Sequence, residues 1–426
     1  MTHDFVLDGS CKGFPLHAQP CAVSQLGDRH WHLLNGDLPF PVAVLRRPAL
    51  MHNVAWMQDF VQRKGVALAP HGKTTMSPEL FRFQLQAGAW GMTFANVQQL
   101  RVGLAAGAQR AIIANQLVTD ADLDGLHHLL QQHPPARVWF LVDSLAQLQA
   151  LTDWGVRRNN NHCWDVLLEL GIAGYRTGCR TQEQALSLAK AIAASPVTRL
   201  GGVECYEGGL GRCDSAHDIE AVSALVRSVQ TLVQQIDEQN LWGNEEVLLS
   251  AGGSAVFDLV IPMLKLRVKS RPVQGVLRSG CYVTHDHWNY ARYLKLVEER
   301  EGLSASLLPA LEVWAAVQSV PEPGLAILGA GRRDLSFDQC MPMPVRWAAR
   351  GQTGPHAIQK CPSSWEVKAL SDQHAHMVFD AAGHWPQVGD RVALGISHPC
   401  TTFDKWRWMA VIEDDGRISG AISTHF

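Results

Sequence analysis

Eight short apolar runs, spaced by stretches with helical periodicity, constrain this chain more than any other feature. The runs are VALAP (66–70), GMTFA (91–95), AIIAN (111–115), RVWFLV (137–142), DVLLELG (165–171), RLGGVECY (199–206), EVLLSAG (246–252) and GVLRSGCY (275–282). Apolar runs of this length read as buried strands. Helical patterns over Pro48–Arg63, Pro78–Ala87, Gln98–Ala106, Gln182–Ala194 and Ala216–Glu238 fill the gaps. Such β-α alternation, repeated eight times, predicts an α/β fold with a (β/α)8 TIM barrel. A doubly wound open sheet would serve the same pattern and is the alternative.

After Tyr290 the rhythm changes. Leu308–Val320, Leu325–Leu328, Pro344–Ala348, Trp365–Leu370, Met377–Phe379, Arg391–Gly395 and Trp406–Ile412 are short strand candidates separated by Gly, Pro and Asp. No helical pattern of comparable strength is read among them, so a mainly-β domain is expected over 291–426, with the barrel over 47–290. Residues 1–46 hold short strand-like pieces ending in Pro41–Leu45. A net charge of −3 leaves no basic footprint, which argues against nucleic acid as a partner. No apolar run approaches the roughly 18 residues of a membrane span, and the start MTHDFVLDGS carries acids where a leader has its apolar core. The ten cysteines are scattered, without CxxC pairs. They are read as reduced thiols of a cytoplasmic protein with no membrane partner.

The chemistry is expected around Ala69-Pro70-His71-Gly72-Lys73-Thr74-Thr75-Met76-Ser77-Pro78. The first apolar run ends here, and Ser77 with Pro78 signals the start of a helix. Lys73 therefore lies at the carboxyl end of a barrel strand, where barrel enzymes place their reacting groups. A lysine shielded there can lose its proton and condense with an aldehyde. On spacing alone, a lysine closing a strand with its charge in water is the commoner arrangement. The stretch resembles the cofactor-lysine motif of the D-threonine aldolase and D-serine dehydratase family, which has the alanine racemase fold and binds pyridoxal 5'-phosphate. That architecture, a barrel followed by a β domain to which N-terminal residues add a strand, resembles the division read above.

Two Gly-rich turns follow the seventh and eighth runs, where barrels commonly hold phosphate: Gly252-Gly253-Ser254 and Gly280-Cys281-Tyr282. Either alone is as readily an ordinary turn. Both are similar to the family's phosphate motifs. Arg278 aligns with the arginine that faces the cofactor's pyridine nitrogen in this fold. A guanidinium offers only donors, so that nitrogen would stay an unprotonated acceptor. Arg176 matches the arginine that contacts the cofactor's phenolic oxygen, and Tyr206 begins a YxG step. Gly209 stands where relatives have His. Asn115 and Gln116 are candidate lining residues. His71, two residues from Lys73, is assigned either to orient the lysine or to accept a proton.

His398-Pro399-Cys400 is the second informative stretch. In an extended segment the imidazole and the thiolate would face one side and hold one metal, leaving positions for water and substrate. With 19 His and 10 Cys, chance H-x-C pairs are expected. SHPCTTFDKW resembles the metal segment of the D-serine dehydratases, and Ser371-Asp372-Gln373-His374 resembles another step of their β domain. A soft thiolate favours Zn²⁺ among divalent metals. The resemblance implies a homodimeric lyase acting on small D-amino acids with a 3-hydroxyl. Lys73 would hold the cofactor and remove the α-proton, and the metal would draw off the hydroxyl, giving a 2-oxo acid and ammonia. The alternatives are a D-threonine aldolase, an amino-acid racemase and a non-catalytic carrier of pyridoxal phosphate.

Overall fold

The structure, a computed structural model, describes residues 4–354 and 356–426, so the first three residues of the N-terminal segment lie outside it. Eight parallel strands form one sheet. In order of pairing they are Ala67–Leu68, Val273–Leu277, Val247–Ala251, Thr198–Cys205, Trp164–Leu170, Arg137–Val142, Arg110–Gln116 and Met92–Phe94. The ends of this row meet: Trp90 N donates to Leu68 O at 2.8 Å, Thr93 N donates to Pro70 O at 2.9 Å, and His71 bridges to Thr93. The sheet is thus a closed barrel and not the open alternative. Every one of the eight apolar runs overlaps one of its strands.

Alternation along the strands explains why the runs are continuously apolar. Leu68, Leu168, Leu249 and Leu277 face outward and join the layer beneath the helices. Ala69, Ile112, Trp139, Leu141, Leu167, Leu248 and Val276 face inward and form a separate plug. One inward step beyond that plug, toward the carboxyl ends, come His71, Glu169, Glu204, Ser250 and Arg278. Their polar side chains begin where the apolar filling stops.

The β region is built on the strand Leu311–Glu322. It pairs antiparallel with Arg391–Gly395 on one side and with the N-terminal strand Val42–Arg46 on the other. Val42–Arg46 also pairs in parallel with Trp408–Ile412, which in turn pairs with Ile418–Ser423. Leu7, Phe14, Leu26, Leu33 and Leu38 pack with Trp314 and Trp408 in a second core. One finding differs from the sequence reading. Asn289–Glu301 is a helix of 13 residues just where helical patterns were taken to stop. It is polar overall and buries only Leu294 and Val297, so few apolar residues mark it, and the Asp286 carboxylate anchors its start by accepting from the amides of Trp288, Tyr290 and Ala291.

Candidate active site

The lysine stretch folds as its residues suggest. Strand Ala67–Leu68 leads through His71 into a single 3-10 turn, Gly72–Thr74, and then to the helix Pro78–Gln86. Ser77 caps that helix by accepting from Leu80 N, with Pro78 at the first helical position. Lys73 is exposed at the mouth of the barrel. His71 is held neutral, first by burial and then by the charges of Lys73, Arg278 and Arg176. Its Nδ1 is buried without a partner. Gly280 is required here, because a Cβ would come within 2.5 Å of His71 O and 3.1 Å of Thr74 Oγ1. The lysine turn and the turn after the eighth strand therefore pack backbone to backbone.

Arg278 lies in the barrel just beyond that strand, 6% exposed. Its Nη2 donates to Glu204 Oε2 at 2.5 Å and to Cys205 O at 3.0 Å, while its Nε is buried without a partner. Glu204 is directly paired in register with Glu169 on the neighbouring strand. Glu169 accepts from Gln116 Nε2 at 2.5 Å and Thr177 Oγ1 at 2.8 Å. Gln116 thus belongs to the site's floor, whereas Asn115 donates to Ala95 O instead. Sequence reasoning missed these glutamates as functional residues. A signal existed: each is a charged residue inside an otherwise apolar strand, at an inward position, where a side chain needs a partner.

Arg176 sits with its guanidinium 4.2 Å from the Tyr206 ring centre. Its loop is fixed from below, since Arg180 donates to the carbonyls of Tyr175, Arg176, Thr177 and Gly178. Tyr175, Arg176, Tyr206 and Gly209 line a cavity of about 100 Å³ with Glu169 and Thr177. A Cβ at Gly209 would meet the Tyr175 ring at 2.8 Å, so Tyr175 occupies the space a histidine there would need.

Two cofactor expectations change in detail. The amides of Gly252 and Gly253 both donate to the Glu207 carboxylate, at 3.1 and 2.5 Å, so a protein anion already holds that turn. Ser254 Oγ accepts from Cys281 N at 3.1 Å and joins the two Gly-rich turns. The Tyr282 side chain is committed elsewhere: it is buried, and its hydroxyl accepts from Gln84 Nε2 at 3.0 Å.

The His398–Cys400 stretch is also not extended. His398 is the N-cap residue of a short helix, Pro399–Phe403, so Cys400 lies in the helix's first turn and not on an extended strand. Pro399 at the first helical position was the overlooked signal. His398 Nδ1 lies 2.5 Å from Asp338 Oδ2. A carboxylate only accepts, so Nδ1 carries the proton of this bond. Cys400 reaches the lysine turn, with Sγ 3.5 Å from Thr74 Oγ1 and 3.8 Å from Cys281 Sγ. A hydrogen bond from Cys281 works against the cost of burial, with help from Thr74 and the Lys73 charge, and pulls the Cys400 thiol down to about 7. Tyr290 is a further neighbour of Cys281 that the sequence did not flag. Among the described residues no three His, Cys, Asp or Glu side chains are arranged around one metal position. Ser371–His374 is an exposed hairpin turn, closed by Ser371 N donating to His374 O.

No described helix is long and apolar enough to cross a membrane. Residues 45–259 match the family described as alanine racemase, N-terminal domain, and residues 310–412 match a putative serine dehydratase domain. The chain is 27% identical over 396 residues to D-threo-3-hydroxyaspartate dehydratase from Delftia sp. (strain HT23), covering 89% of this chain and 96% of that protein. It is 25% identical over 374 residues to D-threonine aldolase from Arthrobacter sp., covering 88% and 89%. The crystal structure of D-threonine aldolase from Filomicrobium marinum superposes with a TM-score of 0.74 at 22% identity, covering 92% of this chain and 97% of the other. A closed barrel with a lysine turn at its mouth, joined to a β region that matches in its own right, leads to one conclusion: the chain belongs to the D-threonine aldolase and D-serine dehydratase family of the alanine racemase fold.

Proposed function

We propose that this protein is a lyase for small D-3-hydroxy amino acids that releases a 2-oxo acid and ammonia, using pyridoxal 5'-phosphate and a divalent metal. The observation that carries the reading is the Cys400 thiol at the lysine turn, next to a histidine whose other nitrogen is fixed by a carboxylate. Metal-binding histidines commonly have such a carboxylate partner. A thiolate with one imidazole leaves open positions and suits Zn²⁺. A solved structure of D-threo-3-hydroxyaspartate dehydratase, with one cysteine replaced by alanine, is of its metal-free form.

The residues at the mouth fit the cofactor. The unpartnered buried atoms His71 Nδ1 and Arg278 Nε, and the space that Gly280 leaves open, support a polar group seated there. Lys73 would hold it, with Arg278 toward the ring nitrogen and Arg176 and Tyr206 at the rim. Ser254, Gly280 and Cys281 would take the phosphate, on a turn braced by Glu207. When bound, pyridoxal phosphate stabilises negative charge at the substrate α-carbon, and a divalent metal at His398 and Cys400 supplies Lewis-acid pull on the 3-hydroxyl. Lys73 would remove the α-proton. His71 stays uncharged beside it, held so by burial and by the Lys73, Arg278 and Arg176 charges, and would orient the lysine. A homodimer and a cytoplasmic location remain part of the proposal.

D-Threonine separates this reading from cleavage, for which the similarity to D-threonine aldolase is the specific support. Elimination yields 2-oxobutanoate and ammonia, and Lys73→Ala should abolish it. Glycine and acetaldehyde as the main products would replace the proposal with an aldolase.

A further inference from the structure

Within the barrel, the buried carboxyls Glu169 and Glu204 have no role in the scheme above, and Glu204 is the one that touches Arg278. Glu204 is 1% exposed, and its Oε2 lies 2.5 Å from Arg278 Nη2. Register sets this contact: Glu204 pairs with Ser250 on one neighbouring strand and with Glu169 on the other. Ser250 pairs in turn with Val276, two residues before Arg278. The guanidinium fork is thus divided. Nη2 is consumed by Glu204 and by Cys205 O, whereas Nε is buried and keeps its hydrogen unpaired. An arginine left free could turn any of its five donors toward a ligand, and one gripped at a single end cannot.

The geometry points to Glu204 as a positioning residue that acts through Arg278: it fixes the guanidinium so that Nε is the donor presented to the cofactor ring, and it offsets the arginine's charge beneath that ring. This rests on the proposed cofactor reading and extends it to a residue outside the family motifs quoted above. Electrostatics of the pocket set the pH at which that offset appears. Burial pushes the Glu204 carboxyl up to about 8 against the pull of the Arg278 charge, with Glu169 and Glu207 adding to the rise and Arg176 opposing it. The carboxyl therefore carries its charge, and offsets that of the arginine, only as pH rises through about 8, which is the limb of the titration the test reads.

A double-mutant cycle on the cofactor-loaded protein tests the inference, with the pH titration of the cofactor's visible band as the readout. Glu204→Gln keeps an acceptor for Arg278 but removes the charge. It should move the titration midpoint down by about one pH unit, the scale on which a neighbouring charge acts. It should also lower kcat more than it changes KM. Glu204→Asp, which keeps the carboxyl, should leave the midpoint nearer to wild type. In an Arg278→Gln background, Glu204→Gln should cause no further shift, because the effect runs through the guanidinium. Three results would overturn the inference: a Glu204→Gln midpoint equal to wild type, a full shift that persists without Arg278, or a change in thermal stability alone. Wild-type protein that binds no cofactor would sink the proposed function as well. Should Glu204→Gln not fold, Glu204→Asp and Arg278→Gln are compared with wild type, and a titration unaltered in both counts against the inference.

Discussion

The Cys400 thiol sits where a second thiol, a hydroxyl and a lysine ammonium converge, and its acidity follows from those neighbours. Lowered to about 7, it ionises near neutral pH, whereas an ordinary cysteine needs about 8.5. Only the thiolate attacks an alkylating agent. Iodoacetamide should therefore label Cys400 of metal-depleted protein ahead of Cys281, at a rate that climbs as pH rises through about 7 and then levels. Adding Zn²⁺ should protect it. Peptide mapping after timed labelling measures this. Labelling that instead follows an ordinary thiol titration, or ignores Zn²⁺, would remove the acidic thiolate from the metal argument. The same scale holds most of what the sequence concealed. The resemblance singled out Arg278 and His398 as candidates, but not the carboxyls that pair with them, Glu204 and Asp338. Asp338 lies 60 residues from His398 and meets it only through the fold.

At the scale of elements, the turn after the eighth strand is positioned by a missing side chain. A methyl at residue 280 would press on the backbone of His71 and on Thr74, which have no room to withdraw. Gly280→Ala should therefore cost about 1–3 kcal/mol of overpacking strain. Because the displaced atoms belong to the lysine turn, cofactor affinity should fall more than the far-UV spectrum changes. A denaturant series with a cofactor titration checks both, and a variant that binds cofactor as wild type does would show that the turns do not need this contact. Elements of this kind were legible where chemistry is local. The eight apolar runs and the Ser77-Pro78 cap need only neighbouring residues, so each can be read in isolation. The helix Asn289–Glu301 escaped because it is polar overall, with only Leu294 and Val297 buried. The strand Ile418–Ser423 escaped because its pattern of Ser, Gly and Ala is weakly apolar, and pairing with Trp408–Ile412 supplies what its own side chains do not.

Across the whole molecule, the last strand returns to the lysine turn. Ser423 ends that strand, and its N and Oγ both donate to the Glu79 carboxylate at 3.1 Å. His425 N donates to Met76 O at 2.9 Å. Met76 is in the left-handed region at φ 44, a conformation that a residue with a side chain keeps only when its surroundings impose it. The surroundings here include the opposite end of the sequence. Hydrogen bonds to charged groups contribute roughly 1.5–3 kcal/mol, comparable to the strain of order 1–3 kcal/mol that a left-handed non-glycine residue stores. Deleting 423–426 should therefore leave the barrel's secondary structure intact while releasing Met76 and with it the segment between Lys73 and the helix Pro78–Gln86. The expected result is weaker cofactor binding and faster amide exchange confined to residues 72–80, followed by mass spectrometry of the apoprotein. Glu79→Gln, which keeps a polar partner but removes the charge, should give the same change in smaller measure. A truncated protein with unchanged exchange across 72–80 would mean that the barrel holds its lysine turn unaided. In that case the β region's contribution to the site would reduce to the segment around His398 and Cys400.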